Sequence, residues 1–177
     1  TLANKEWMKE VLHFGGGAND AEQQQFKAYL NVYENYLEDT LFGGHVTKFL
    51  KNSSNPIQIS YSSLFDSLLN KGITLMTFFG HASSNSFDFS IDIPENYQNK
   101  GRYPFIISNG CYGGNIFKKG QTMSKRFVLQ EDKAAIGFLA AASLSYSNSD
   151  HSLSESFMAN TSFKNYKSSV GENLRQA

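Results

Sequence analysis

Two short apolar runs, Ile73–Phe79 and Phe105–Ser108, constrain this chain more than any other feature. Each is rich in β-branched or aromatic residues, and each runs into a glycine turn. That is the pattern of a buried strand entering a tight turn. The first run delivers Gly80-His81-Ala82 and the second delivers Asn109-Gly110-Cys111. A histidine and the single cysteine of the chain therefore each follow the C-terminal end of a predicted strand. In an open parallel α/β sheet, that edge is where ligands bind. If the two strands are neighbours, the imidazole and the thiol can meet. A Cys–His pair makes a nucleophile, because the base raises the thiolate fraction at neutral pH. Short glycine turns also leave backbone N–H groups to face a developing oxyanion. Taken as residue types alone, a single cysteine is most often a small buried hydrophobe, so both readings stay open at this point.

The surrounding pattern is β-α-β-α-β. Glu10–Phe14 reads as a first strand running into Gly15-Gly16-Gly17. Asn19-Asp20-Ala21-Glu22 has the capping-box spacing of a helix start. Phe26, Leu30, Tyr33 and Leu37 recur at helical spacing and form a core stripe up to about Asp39. His45–Leu50 reads as a second strand, Ser60–Asn70 as a helix, and Gly72 as its left-handed C-terminal cap. After the two organising strands, Thr122–Leu129 is expected to be a helix and Ala134–Ala141 a fifth strand. Ser152-Leu153-Ser154-Glu155 and Ser169-Val170-Gly171-Glu172 resemble two further helix starts. This rhythm predicts a parallel sheet with right-handed crossovers. Ala82–Arg102, with a short strand expected at Phe87–Ile91, is a long polar segment expected over the site.

Composition bounds the function. A chain of 177 residues is one domain or one subdomain and can bury a core. Sixteen basic and sixteen acidic residues balance, which removes the electrostatic case for a nucleic-acid partner. One cysteine excludes an internal disulfide, and no metal-type Cys/His spacing occurs. No apolar run approaches the roughly 20 residues of a membrane span. The start at Thr1 carries no signal peptide and reads as a boundary within a longer chain. A serine-hydrolase elbow and a P-loop are both absent. Gly15-Gly16-Gly17 ahead of a helix could hold a phosphate, though without the wider motif. Asp88, Asp92 and Glu95 could hold calcium, but their spacing matches no calcium loop and favours solvated loop charges.

Phe79-Gly80-His81 after an apolar strand, followed by the run from Pro104 through Cys111 to Gly114, resembles peptidase family C25. These are the gingipain-like cysteine endopeptidases, related in fold to caspases. The resemblance continues through Met123–Leu129 and Asp132–Ala140 and covers about Trp7 to Ser156. It implies a three-layer α/β/α sandwich with a mainly parallel, caspase-like sheet. Residues 1–177 would be a single catalytic subdomain, part of a larger chain with another subdomain before it. By resemblance, Cys111 matches the nucleophile and His81 the base and proton donor. The backbone N–H groups of Cys111 and Ala82 would form the oxyanion hole. A polypeptide substrate would lie across the strand ends, under Ser83–Asp92 and Ser143–Asp150. No cofactor is required, and structural calcium is permitted. The location implied is extracellular or at a bacterial surface. The rival readings are an inactive binding or assembly module and a sortase-like transpeptidase of a secretion system.

Two positions depart from the family pattern. Glycine commonly follows the histidine, where this chain has Ala82. A positive φ there would cost alanine on the order of 1 kcal/mol. The family's orienting acid lies near the glycine turn after the first strand, and His13–Gly17 contains none. Asp20 and Glu22 are the nearest candidates. Both lie in a helix-start pattern rather than at the strand end, so Glu22 is expected to act mainly as a cap.

Overall fold

The structure is a computed structural model that describes residues 5–39, 41–59, 63–90 and 93–177. Five strands form the main sheet: β1 (Glu10–Gly15), β2 (His45–Leu50), β4 (Leu75–Phe79), β6 (Phe105–Asn109) and β7 (Gly137–Ala140). Their order is β2-β1-β4-β6-β7, and every neighbouring pair is parallel. β3 (Gln58–Ile59) and β5 (Phe89–Ser90) pair separately as a small parallel ladder. The chain leaves β1 toward β2 and later returns to β4 on the other side. The ends of β1 and β4 are thus a topological switch point, where ligand clefts form in open α/β sheets.

All five residues of β4 are buried, as expected of a parallel strand covered on both faces. Leu12, Phe14, Met76, Phe78 and Ile106 face one layer, with Phe65 and Leu69 of α2 (Ser63–Lys71) and Phe127 of α3 (Met123–Val128). Val11, Leu75, Phe79 and Ile107 face the other. There they meet Phe26, Leu30, Tyr33 and Leu37 of α1 (Asp20–Leu37), with Phe157 and Met158 of α4 (Ser147–Ala159). Burying each such side chain is worth about 1.5–3 kcal/mol, so this three-layer packing holds the strand ends rigidly. His13 lies in the centre of β1, fully buried, with its ring edge-on to Tyr33 at 6.1 Å.

Several predicted boundaries move, each for a local reason. Ala134 adopts φ 66° and donates its N–H to Asn99 Oδ1, so the fifth sheet strand begins at Gly137 rather than Ala134. α4 starts at Ser147, where Asp150 N–H bonds to the Tyr146 carbonyl. Ser152 is inside that helix and donates to the Asn148 carbonyl instead of capping. Ser169 does cap α5 (Val170–Arg175), accepting the Glu172 N–H. Gly72 takes φ +103° after α2, the left-handed cap that its position predicts. The start of α2 expected at Ser60 and the strand end expected at Ile91 fall outside the described residues.

Candidate active site

Parallel register brings the two turns together. Phe79 of β4 lies opposite Asn109 of β6, so His81 and Cys111 stand at the same offset beyond a paired position. Gly80 N–H donates to the Asn109 carbonyl at 3.1 Å. A Cβ on Gly110 would lie 2.6 Å from the Gly80 carbonyl oxygen and 2.9 Å from Ala82 Cβ. The histidine turn and the cysteine turn therefore pack against each other because Gly110 has no side chain.

His81 and Cys111 line one cleft of about 240 Å³. Its other walls include Glu22, Phe26, Phe79, Ser145, Tyr146 and Asp150. No hydrogen bond joins His81 to Cys111 among the described residues. The sulfur lies instead against Ser145, 3.5 Å from its N–H and 3.6 Å from its carbonyl oxygen. The backbone N–H groups of Cys111 and Ala82 make no hydrogen bond among the described residues. Ala82 is not among the residues with positive φ, so alanine carries no left-handed strain there. Tyr112, directly after the cysteine, does adopt φ 59°. Its N–H is held by the Ser143 carbonyl at 2.8 Å, which ties the cysteine turn to the loop after β7.

The two candidate acids separate. Glu22 Oε2 lies 2.8 Å from His81 Nε2. The same oxygen accepts the Ala18 N–H at 2.8 Å, while Asn19 Oδ1 accepts the Glu22 N–H. Glu22 thus bonds the start of the helix and the histidine at once, a contact that the helix-start pattern by itself does not imply. The Ala18 N–H, and after it His81, hold its carboxyl below the usual carboxylate range. Asp20 makes no bond to His81; two residues earlier on a helix, its side chain projects about 200° away. The tie between Glu22 and His81 spans 59 residues of sequence and is a product of packing across the β1–β4 seam.

Among the described residues of the long segment after His81, none lines the cleft. Phe87, Asp88, Phe89 and Tyr97 are buried, and Ser83–Ser86 is a tight turn closed by Ser83 N–H to the Ser86 carbonyl. Of the two segments expected over the substrate, only Ser143–Asp150 borders the cleft among the described residues, and its last residues form the first turn of α4. Sequence reasoning singled out that loop but not Ser145 or Asp150 as wall residues. Burial raises the Asp150 carboxyl above the usual range, with the polar Ser145 side chain opposing the shift. Among the described residues, no group of acids is placed to hold a metal ion. Asp88 pairs with Lys51 and Glu95 with Arg126, while Asp92 lies outside the described residues.

The profile of peptidase family C25 matches residues 2–177. The chain belongs to that family. Among solved structures it is similar to the Arg-specific cysteine proteinase gingipain R, with TM-score 0.64 and 14% identity over 98% of this chain and 46% of the other. It is also similar to the complex of Porphyromonas gingivalis RgpB pro- and mature domains, with TM-score 0.67 and 16% identity over 93% and 39%. At these identities the likeness establishes the fold: the chain has the gingipain-type, caspase-like α/β architecture. It spans less than half the length of these solved relatives. No curated protein matches it. Among the described residues, no helix is long and apolar enough to cross a membrane.

Proposed function

We propose that this chain is the catalytic part of a cysteine endopeptidase working through Cys111 and His81, with Glu22 orienting the histidine. The observation that carries the reading is the equal offset of His81 and Cys111 beyond the paired residues Phe79 and Asn109, which puts both on one cleft. With Nε2–H donating to Glu22, Nδ1 is the basic nitrogen available to the thiol. The sulfur turns from Ser145 toward that nitrogen when substrate enters, as catalytic contacts commonly tighten only in the complex.

In this mechanism the thiol proton passes to His81, and the sulfur attacks the scissile carbonyl carbon. A C–S bond forms, and the oxyanion faces the N–H groups of Cys111 and Ala82. His81 returns the proton to the amine nitrogen as the C–N bond breaks. Water then attacks the thioester, with His81 taking its proton and giving it to the departing sulfur. Glu22 keeps the ring in the tautomer this sequence needs. The proposal includes a polypeptide substrate, an adjoining subdomain of the same chain, and an extracellular or cell-surface location. The support for each is membership of the family and the greater length of the solved relatives. No specific observation favours an inactive module or a transpeptidase.

The test is cleavage of a mixed protein substrate by the full-length protein. Cys111→Ala and His81→Ala should each abolish turnover while leaving the circular dichroism spectrum unchanged. Turnover persisting in Cys111→Ala overturns the proposal.

A further inference from the structure

Asp88 is a buried carboxylate beside the cleft that no step above uses. It is 7% exposed, and its Oδ2 accepts the Gly17 N–H at 2.8 Å. Lys51, 3% exposed, brings its Nζ to 3.4 Å from the same oxygen. Among the described residues Asp88 Oδ1 has no hydrogen-bond partner, and it lies in the recess left by two glycines. A Cβ on Gly16 would overlap it, and one on Gly80 would lie 2.6 Å away. The backbone of Asp88 reaches the histidine as well: its N–H donates to the His81 carbonyl at 2.9 Å.

These contacts close a ring. From the His81 carbonyl it passes to Asp88, then through the carboxylate to Gly17 and along the chain to Ala18. The Ala18 N–H holds Glu22 Oε2, and Glu22 returns to His81 Nε2. Two turns from different strands are locked by one side chain that never touches the cleft. The turn N–H that could have met a phosphate is already filled by the chain's own carboxylate. A buried ion pair is weak support for stability, since desolvation offsets most of the attraction. A fixed geometry is what this one supplies.

We propose that Asp88, held by Lys51, is a positioning residue that sets the Glu22–His81 contact; this rests on the roles given to those two residues above. The test uses the full-length protein with four variants: Asp88→Asn, Glu22→Gln, their double variant and Cys111→Ala. Active sites are counted by titration with an irreversible thiol reagent. Asp88→Asn should lower kcat per titrated site about tenfold or more, with KM unchanged. The acid limb of its pH–rate profile should move to higher pH, because Glu22 loses the Ala18 N–H that keeps its carboxyl low. In the Glu22→Gln background the Asp88 change should cost nothing further. A merely structural role would lower only the number of titrated sites, leave the profile in place and add to the Glu22 effect; that result overturns the proposal. If Asp88→Asn does not fold, Gly16→Ala crowds Oδ1 with every charge retained and is read by the same criteria. Activity surviving in Cys111→Ala would count against the catalytic reading itself, whereas loss there with an additive Asp88 effect would defeat the clamp alone.

Discussion

The base and the nucleophile stand side by side, yet they are braced differently. His81 is held largely through side chains: Glu22 on its ring, and behind its turn Asp88, whose N–H meets the His81 carbonyl and whose carboxylate is fixed by Gly17 and Lys51. Glu22 lies on α1, Lys51 directly after β2, and Asp88 just before β5. Cys111 is held by backbone: Ser145 N–H and carbonyl at the sulfur, Tyr112 N–H to Ser143, and Gly114 N–H to Ala141. Those come from the loop after β7. One side-chain bond supports this half from below, Ser154 Oγ to Asn109 Oδ1 at 2.8 Å. The two halves join along a narrow seam at Gly80, Ala82 and Gly110. The base is thus fixed by chemistry that mutation can remove one atom at a time. The nucleophile is fixed by chain path, which side-chain changes scarcely reach.

Breaking the seam should have the largest effect. Gly110→Ala places a Cβ 2.6 Å from a backbone carbonyl oxygen that cannot turn aside. Parting the turns should cost about 1–3 kcal/mol in urea unfolding and about 100-fold in kcat. An unchanged kcat would mean that the seam does not set the distance between the two groups.

Removing the base-side charge comes next. Glu22→Gln keeps an acceptor for the Ala18 N–H, so the helix cap should survive with well under 1 kcal/mol lost. The imidazolium loses its counter-charge, and kcat should fall by roughly 10–100-fold with little change in KM. A rate within twofold of wild type would reduce Glu22 to a helix cap and leave a bare dyad.

The base side also rests on an acid-sensitive strand. Burial holds the His13 pKa down from 6.5 to about 3. The unfolded chain takes up this proton first, so the stability contribution is full above pH 6.5 and is lost as pH falls toward 3. The slope is about 1.4 kcal/mol per pH unit, or about 2 kcal/mol between pH 6.5 and pH 5. His13→Leu should remove that slope from urea midpoints measured across the range. A wild-type slope unchanged by the substitution would place the acid sensitivity elsewhere.

The two halves were also unequally legible in the sequence. The sheet could be read because its strands are short apolar runs with glycine stops, and His81 and Cys111 follow two of them directly. The bracing of the base could not. Glu22, Asp88 and Lys51 lie on three separate segments, and each has an ordinary local explanation as cap, loop acid or solvated lysine. Only the sheet order brings them together. Gly15-Gly16-Gly17 was a real signal with a different meaning: Gly16 clears space for a carboxylate from within the chain and Gly17 gives it an N–H. The start of α4 was missed because Tyr146 offers no side-chain cap.

The smallest effect is expected where the nucleophile side offers a side chain at all. Ser145 Oγ stands 4.0 Å from the Cys111 sulfur, whereas its backbone N–H is at 3.5 Å. At 4.0 Å a hydroxyl adds little to a sulfur contact. Ser145→Ala removes that hydroxyl from beside Asp150, but keeps both backbone groups at the sulfur. The turnover rate and the rate of thiol alkylation by iodoacetamide should both stay within about threefold of wild type, the equivalent of less than one ordinary hydrogen bond. A fall of more than tenfold in either rate would show that the nucleophile, like the base, is held by side chains, with Asp150 standing to Ser145 as Asp88 stands to Gly17. The contrast between the two halves of the site would then disappear.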